Sequence, residues 1–155
     1  MKRILVLDAN ERSALAVTRS LGKKGITVFT AEESSSALAG SSRFSQLHLR
    51  YPSPRQTPNQ FVNFLGVLVK QHNIDMLLPM TELTTELLLT NKSTFSETIL
   101  PFPDIKTVLS LADKCYLMRM AGELGIPIPY TWYADNPNSL TVELDELPYP
   151  LVLKP

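Results

Sequence analysis

Ile4-Leu5-Val6-Leu7 is an unbroken apolar run, and it constrains this chain more than any other feature. A strand with one face in water alternates apolar and polar residues. A strand without alternation is covered on both faces. The run ends at Asp8-Ala9-Asn10, and a helical pattern follows from about Arg12 to Lys24. Ala14, Leu15, Val17, Thr18 and Leu21 form its apolar stripe. Gly25 stands where a helix-ending glycine belongs, and Ile26–Thr30 reads as a second strand. A strand, helix and strand in that order predict a right-handed, parallel crossover.

The same alternation continues. Residues 33–43, rich in Ser, Ala and Gly, predict a loop with a short helical turn, and Gln46–Leu49 a strand. Tyr51–Pro58 is broken by proline. Thr57 or Asn59 then caps a helix to about Gln71, with Phe61, Phe64, Leu65 and Leu68 on its apolar side. Asp75–Pro79 is a further buried strand, Thr81–Leu89 a helix, and Ile99-Leu100-Pro101-Phe102 closes the sheet with proline at its edge. This predicts a doubly wound, mainly parallel, Rossmann-like α/β sheet, with Ile4–Leu7, Thr27–Thr30 and Met76–Leu78 inside it. Beyond it the pattern breaks. Two helices, Asp104–Leu111 and Asp113–Leu124, follow in succession. Tyr130–Tyr133 is strand-like, Asn136–Glu146 has room for a short helix, and Tyr149–Lys154 is a last strand. The expected organisation is an α/β domain over 1–110 and the beginning of a truncated α+β unit over 111–155.

Fifteen basic and fifteen acidic residues balance, which leaves no electrostatic footprint for nucleic acid or an anionic membrane. No apolar run approaches the roughly 20 residues that span a bilayer, and no signal peptide is visible. A single cysteine, Cys115, forms no internal disulfide and suits a reducing, cytoplasmic setting. The two histidines, His48 and His72, lack the spacing of a zinc site, so no metal site is expected from them. Cys115 reads as a half-buried thiol, and Met76, Met80, Met118 and Met120 as core filler.

The first strand-to-helix turn has no glycine, so it cannot bring its backbone against a pyrophosphate as a dinucleotide-binding turn does. Gly-Lys-Ser/Thr is absent as well. The turn still lies at the carboxyl end of a central strand, where α/β sheets place ligands. Asp8, Asn10 and Arg12 are therefore candidate substrate contacts. The plainer reading is that Asp8 and Asn10 satisfy donors of the turn and the helix start. Thr81 and Glu82 follow another strand at the same edge. Glu82 and Glu86, four residues apart, share a helix face. They suit either acid–base work or the favourable charge at a helix start. No residue is singled out as catalytic.

Lys114 follows Asp113, a plausible helix cap, and sits against the dipole preference of a first helical turn. Lys154 closes the apolar strand Tyr149-Pro150-Leu151-Val152-Leu153. Singly, each reads as a solvated lysine. Together, Asp113-Lys114, an amphipathic helix, Gly125-Ile126-Pro127-Ile128-Pro129 and Tyr149–Pro155 resemble the ATP-grasp superfamily, above all its carbamoyl-phosphate-synthase-like and carboxylate–amine ligase members. The resemblance implies a pre-ATP-grasp domain to about residue 110, then the start of the nucleotide-binding subdomain. It implies that Lys114 and Lys154 contact ATP phosphates, with Lys154 close to the adenine. It further implies a small-molecule carboxylate substrate, activated as an acyl phosphate for attack by an amine, ammonia or thiol. Magnesium would be held by late residues that these 155 positions do not include.

The expectation is thus an N-terminal fragment of an ATP-dependent ligase, inactive alone and binding no cofactor tightly. The alternatives are a non-catalytic small-molecule-binding domain and a scaffold domain without a ligand. The apolar tail, Tyr149–Pro155, should be mobile or paired with a second copy, as in a homodimer, because an unpaired strand invites pairing.

Overall fold

The computed structural model describes residues 2–133 and 149–152. They fall in two compact units, Met1–Leu109 and Ser110–Pro155. In the first, β1 (Arg3–Val6), β2 (Thr27–Glu32), β3 (Ser45–Arg50) and β4 (Met76–Leu78) form one sheet in the order β3-β2-β1-β4. Every pairing is parallel. Beyond β4 a single parallel bridge, Met76 to Ile99, extends the sheet. Ile99 donates to the Asp75 carbonyl at 2.8 Å, and its own carbonyl accepts from Leu77 at 3.1 Å. Pro101, which has no N–H to give, follows directly, and the contact goes no further.

The apolar runs are buried as their lack of alternation requires. Leu5, Val6 and Leu7 have no exposed surface. Leu5, Leu7, Phe29 and Leu77 meet Phe61, Leu65 and Leu68 of α2 (Pro58–His72) on one side of the sheet. Ile4, Val6 and Val28 pack on the other side, with Ala14, Leu15, Val17 and Leu21 of α1 (Arg12–Lys23) against them. Met76 and Met80 fill part of that second layer. Gly25 follows α1 at φ +76°, a conformation glycine adopts without a Cβ penalty.

Several expectations change. Phe64 is 38% exposed, and Val62 and Val69 take the buried positions of α2 instead. Thr57 precedes α2, but its side chain makes no capping bond. Pro58 supplies the start, having no N–H to satisfy. Residues 33–43 keep the expected loop, with one helical turn closed by the Ser41 amide on the Ala37 carbonyl at 2.9 Å. Between α3 (Glu82–Thr90) and Ile99 a short 3-10 helix, Lys92–Phe95, buries Phe95.

α4 (Ile105–Ala112) starts after Asp104, whose carboxylate accepts from the Thr107 amide at 3.0 Å and hydroxyl at 2.9 Å. Those bonds, the amide's first, hold the Asp104 carboxyl below its usual range. In the second unit Asp113 caps α5 (Lys114–Glu123), accepting from the Tyr116 amide at 3.0 Å. Gly125 ends α5 at φ +70°. Cys115 is exposed on α5 and not half-buried. Tyr130–Tyr133 is irregular and not a strand. Pro129 there has no N–H, and Thr131 turns its hydroxyl onto the Pro129 carbonyl at 2.8 Å. Tyr149–Val152 is likewise not in a strand. The helix expected in 136–146, and Lys154, lie outside the described residues.

Candidate functional site at the carboxyl edge of the sheet

Four parallel strands bring the loops after Val6, Glu32, Arg50 and Leu78 to one edge. Asp8 stands at its centre. Its backbone is left-handed, φ +54°, a conformation that Asp tolerates better than most residues. One carboxylate oxygen accepts from the Met80 amide at 2.8 Å, the Thr81 amide at 2.9 Å and the Thr84 hydroxyl at 2.6 Å. The other accepts from the Tyr51 hydroxyl at 3.2 Å. Asp8 is only 6% exposed, and a charge so buried persists only when hydrogen-bonded this fully. The carboxylate thereby fastens the end of β1 to the connection between β4 and α3.

Tyr51 is the residue that sequence reasoning missed. Its hydroxyl also accepts from the Asp8 amide at 3.3 Å, and its ring meets Phe61 edge-on at 5.0 Å. Burial, and then the neighbouring carboxylates of Asp8 and Glu32, push its ionisation far above the ordinary tyrosine value. The available signal was an aromatic residue directly after a strand, because a buried tyrosine tip needs a polar partner.

Asn10 does not cap α1, since Glu11 occupies that position and makes no side-chain bond. Asn10 instead stitches two loops together. Its amide donates to Glu32 Oε2 at 3.0 Å, its Nδ2 to Ser34 Oγ at 3.3 Å, and its Oδ1 accepts from Leu38 at 3.3 Å. Thr81 caps α3, accepting from the Thr84 amide at 3.4 Å. Arg12, Glu82 and Glu86 are exposed on the first turns and outer faces of their helices. The structure therefore joins Asp8 to Thr81 directly and leaves Arg12 and Glu82 facing solvent. The saturated Asp8 is a fastening group. The exposed guanidinium, amide and carboxylates around it suit recognition of a small polar molecule.

Lys114, the first residue of α5, is exposed. An exposed ammonium fits a phosphate, although one cation does not make a nucleotide site. Among the described residues no group of three or more His, Cys, Asp and Glu is placed to hold a metal ion.

No family model and no curated protein matches the sequence. Solved structures match the fold. A glycinamide-RNase-transformylase T from Mycobacterium tuberculosis aligns with 84% of this chain and 38% of its own, at TM-score 0.58 and 22% identity. The likeness is one of fold, a parallel α/β sheet shared with part of a longer enzyme chain. An L-amino acid ligase from Bacillus licheniformis aligns over 83% of this chain and 32% of its own (TM-score 0.64, 11% identity). An N5-carboxyaminoimidazole ribonucleotide synthetase from Thermotoga maritima aligns over 90% and 35% (TM-score 0.61, 18% identity). The chain thus spans between 32% and 38% of the length of those three chains.

Proposed function

We propose that this chain is the N-terminal portion of an ATP-dependent ligase, which activates a small-molecule carboxylate as an acyl phosphate for attack by an amine, ammonia or thiol. The observation that carries this reading is the likeness in fold, over 83% and 90% of the chain, to an amino acid ligase and a ribonucleotide synthetase. The boundary near residue 110 separates a domain that presents the substrate edge from the start of the nucleotide-binding subdomain. At the edge, Arg12 would meet the substrate carboxylate, Asn10 would hydrogen-bond it, and Glu82 would accept an amine. Thr81 and Asp8 would hold that edge in shape. ATP supplies the phosphoryl group. Transfer of that group is chiefly positioning and charge neutralisation, so Lys114 and Lys154 are assigned to the phosphates. Magnesium ligands are assigned to residues beyond these, and the chain alone is expected not to turn over. No helix among the described residues is long and apolar enough to cross a membrane. We place the protein in the cytoplasm, where the exposed thiol of Cys115 stays reduced. A second copy is assigned to the 149–155 segment.

The test is Lys114→Met and Lys154→Met in the intact enzyme, with ATP affinity read by calorimetry. A charge-assisted contact is worth about 1.5–3 kcal/mol, so each change should weaken ATP roughly ten- to a hundredfold. Wild-type affinity in both variants refutes the assignment. A second reading, a binding or scaffold domain without turnover, is favoured by one feature. The central carboxylate, Asp8, is fully occupied by structural bonds.

A further inference from the structure

A groove of about 440 Å³ lies where α1 ends and β3 begins, lined by Arg19, Lys23, Ser41, Ser42, Arg43 and Phe44. The strands are parallel, so this is the edge opposite to Asp8 and Thr81. Three of the six lining residues are cations and none is a carboxylate, in a chain whose charges balance overall. Arg19 and Lys23 are four apart and share a face of α1, an arrangement that costs a helix stability. A basic residue in the last turn complements the helix dipole, which explains Lys23 alone. It does not explain Arg43, which another loop brings to the same groove.

The loop is held firmly. A Cβ on Gly22 would meet the Phe44 Cβ at 2.5 Å and its ring at 2.6 Å, so the bare glycine lets Phe44 lie on α1. The Arg43 guanidinium sits 4.8 Å over the Phe44 ring, within cation–π range, and is thereby oriented before any ligand arrives. Ser41 donates its hydroxyl to the Ala37 carbonyl at 3.0 Å. Ser42 accepts from the Phe44 amide at 3.3 Å, which leaves its own proton to give.

We infer that this groove is a binding site for the phosphate group of a small phosphorylated ligand, held by Arg19 and Arg43 with support from Lys23 and Ser42. Planar guanidinia match phosphate oxygens in pairs, and a neutral hydroxyl donor completes the set. The inference is independent of the ligase reading, because it concerns the opposite edge of the sheet.

The experiment is a nuclear magnetic resonance titration of the full chain with inorganic pyrophosphate at low salt. Saturable amide shifts should centre on Arg19–Lys23 and Ser41–Ser45. Arg43→Gln and Arg19→Gln should each weaken binding at least tenfold, with circular dichroism confirming that both variants fold. Added salt should weaken it further. Adenosine diphosphate binding tighter than pyrophosphate assigns a nucleotide, and equal affinity assigns the phosphate alone. No saturable shift overturns the inference, as do shifts centred on Asn10 and Arg12 or binding unchanged in the Arg19→Gln/Arg43→Gln double variant.

Discussion

Replacing Asp8 tests how the carboxyl edge of the sheet is held. Asp8→Ala strips the acceptor from two amides, Met80 and Thr81, and two hydroxyls, Thr84 and Tyr51. Each buried donor left unpaired costs about 1–3 kcal/mol. The four are neighbours near an edge where water can enter, so their costs do not add. A net loss of about 3–5 kcal/mol is expected, as for breaking a buried charged network. Alanine is also a poor occupant of φ +54°. Asp8→Asn is the control. Asparagine tolerates that backbone, keeps one acceptor for Met80, Thr81 and Thr84, and turns its NH₂ toward the Tyr51 oxygen. It should cost about 1 kcal/mol, the worth of an ordinary hydrogen bond. Urea denaturation of both variants reads the difference directly, with thermal midpoints as a second measure. At about 4 °C per kcal/mol for a domain of this size, the alanine variant should melt about 12–20 °C lower. An alanine variant within about 1 kcal/mol of wild type, or an asparagine variant as damaged as alanine, would refute the fastening role.

Tyr51 keeps its proton in the fold at pH values where the unfolded chain loses it. The unfolded state then binds fewer protons, so stability is fully present below about pH 10 and falls as pH rises further. Tyr51→Phe should flatten that fall, which urea midpoints measured across the alkaline range will show. Gly22→Ala should destabilise by about 1–3 kcal/mol through overpacking against Phe44, visible as a lowered melting temperature with no change in m-value. Thr81→Ala removes the cap of α3 and should cost about 0.5–2 kcal/mol, with amide exchange quickening first at Leu83–Thr85. Purified protein given ATP and magnesium should release no ADP above background, and substantial release would refute the proposal that it does not turn over alone.

The parallel sheet was readable in the sequence because its information is local. Ile4–Leu7 lacks alternation, Gly25 sits after an amphipathic run, and Asp113 precedes a helix it caps. What escaped reading depends on partners distant in the chain. Tyr51 looks like one residue of a proline-broken loop until Asp8, forty-three positions away, is folded against it. Phe64 carries the same periodic signal as Phe61, yet α2 turns its Val62 and Val69 inward and leaves Phe64 at the rim. Tyr130–Tyr133 has strand-forming residues, but a strand needs a neighbour, and none pairs with it among the described residues. Of the candidate site, the edge was foreseeable from the strand ends. The division between fastened Asp8 and exposed Arg12 was not, since it turns on which way a left-handed turn aims one carboxylate.

The strand order sets a timetable as well as a shape. β1 is made first but lies between β2 and β4, and the bond from Thr84 to Asp8 closes a separation of 76 residues. At ribosomal rates of about 5–20 residues per second, that partner emerges about 4–15 s after Asp8 does. Through that interval the buried apolar strand β1 has one free edge, and pairing with β2 covers only the other. The nascent chain is therefore most exposed to misassociation before residue 84 has left the ribosome. Slowing synthesis between β2 and β4 should lower the yield of folded protein more than slowing it after α3.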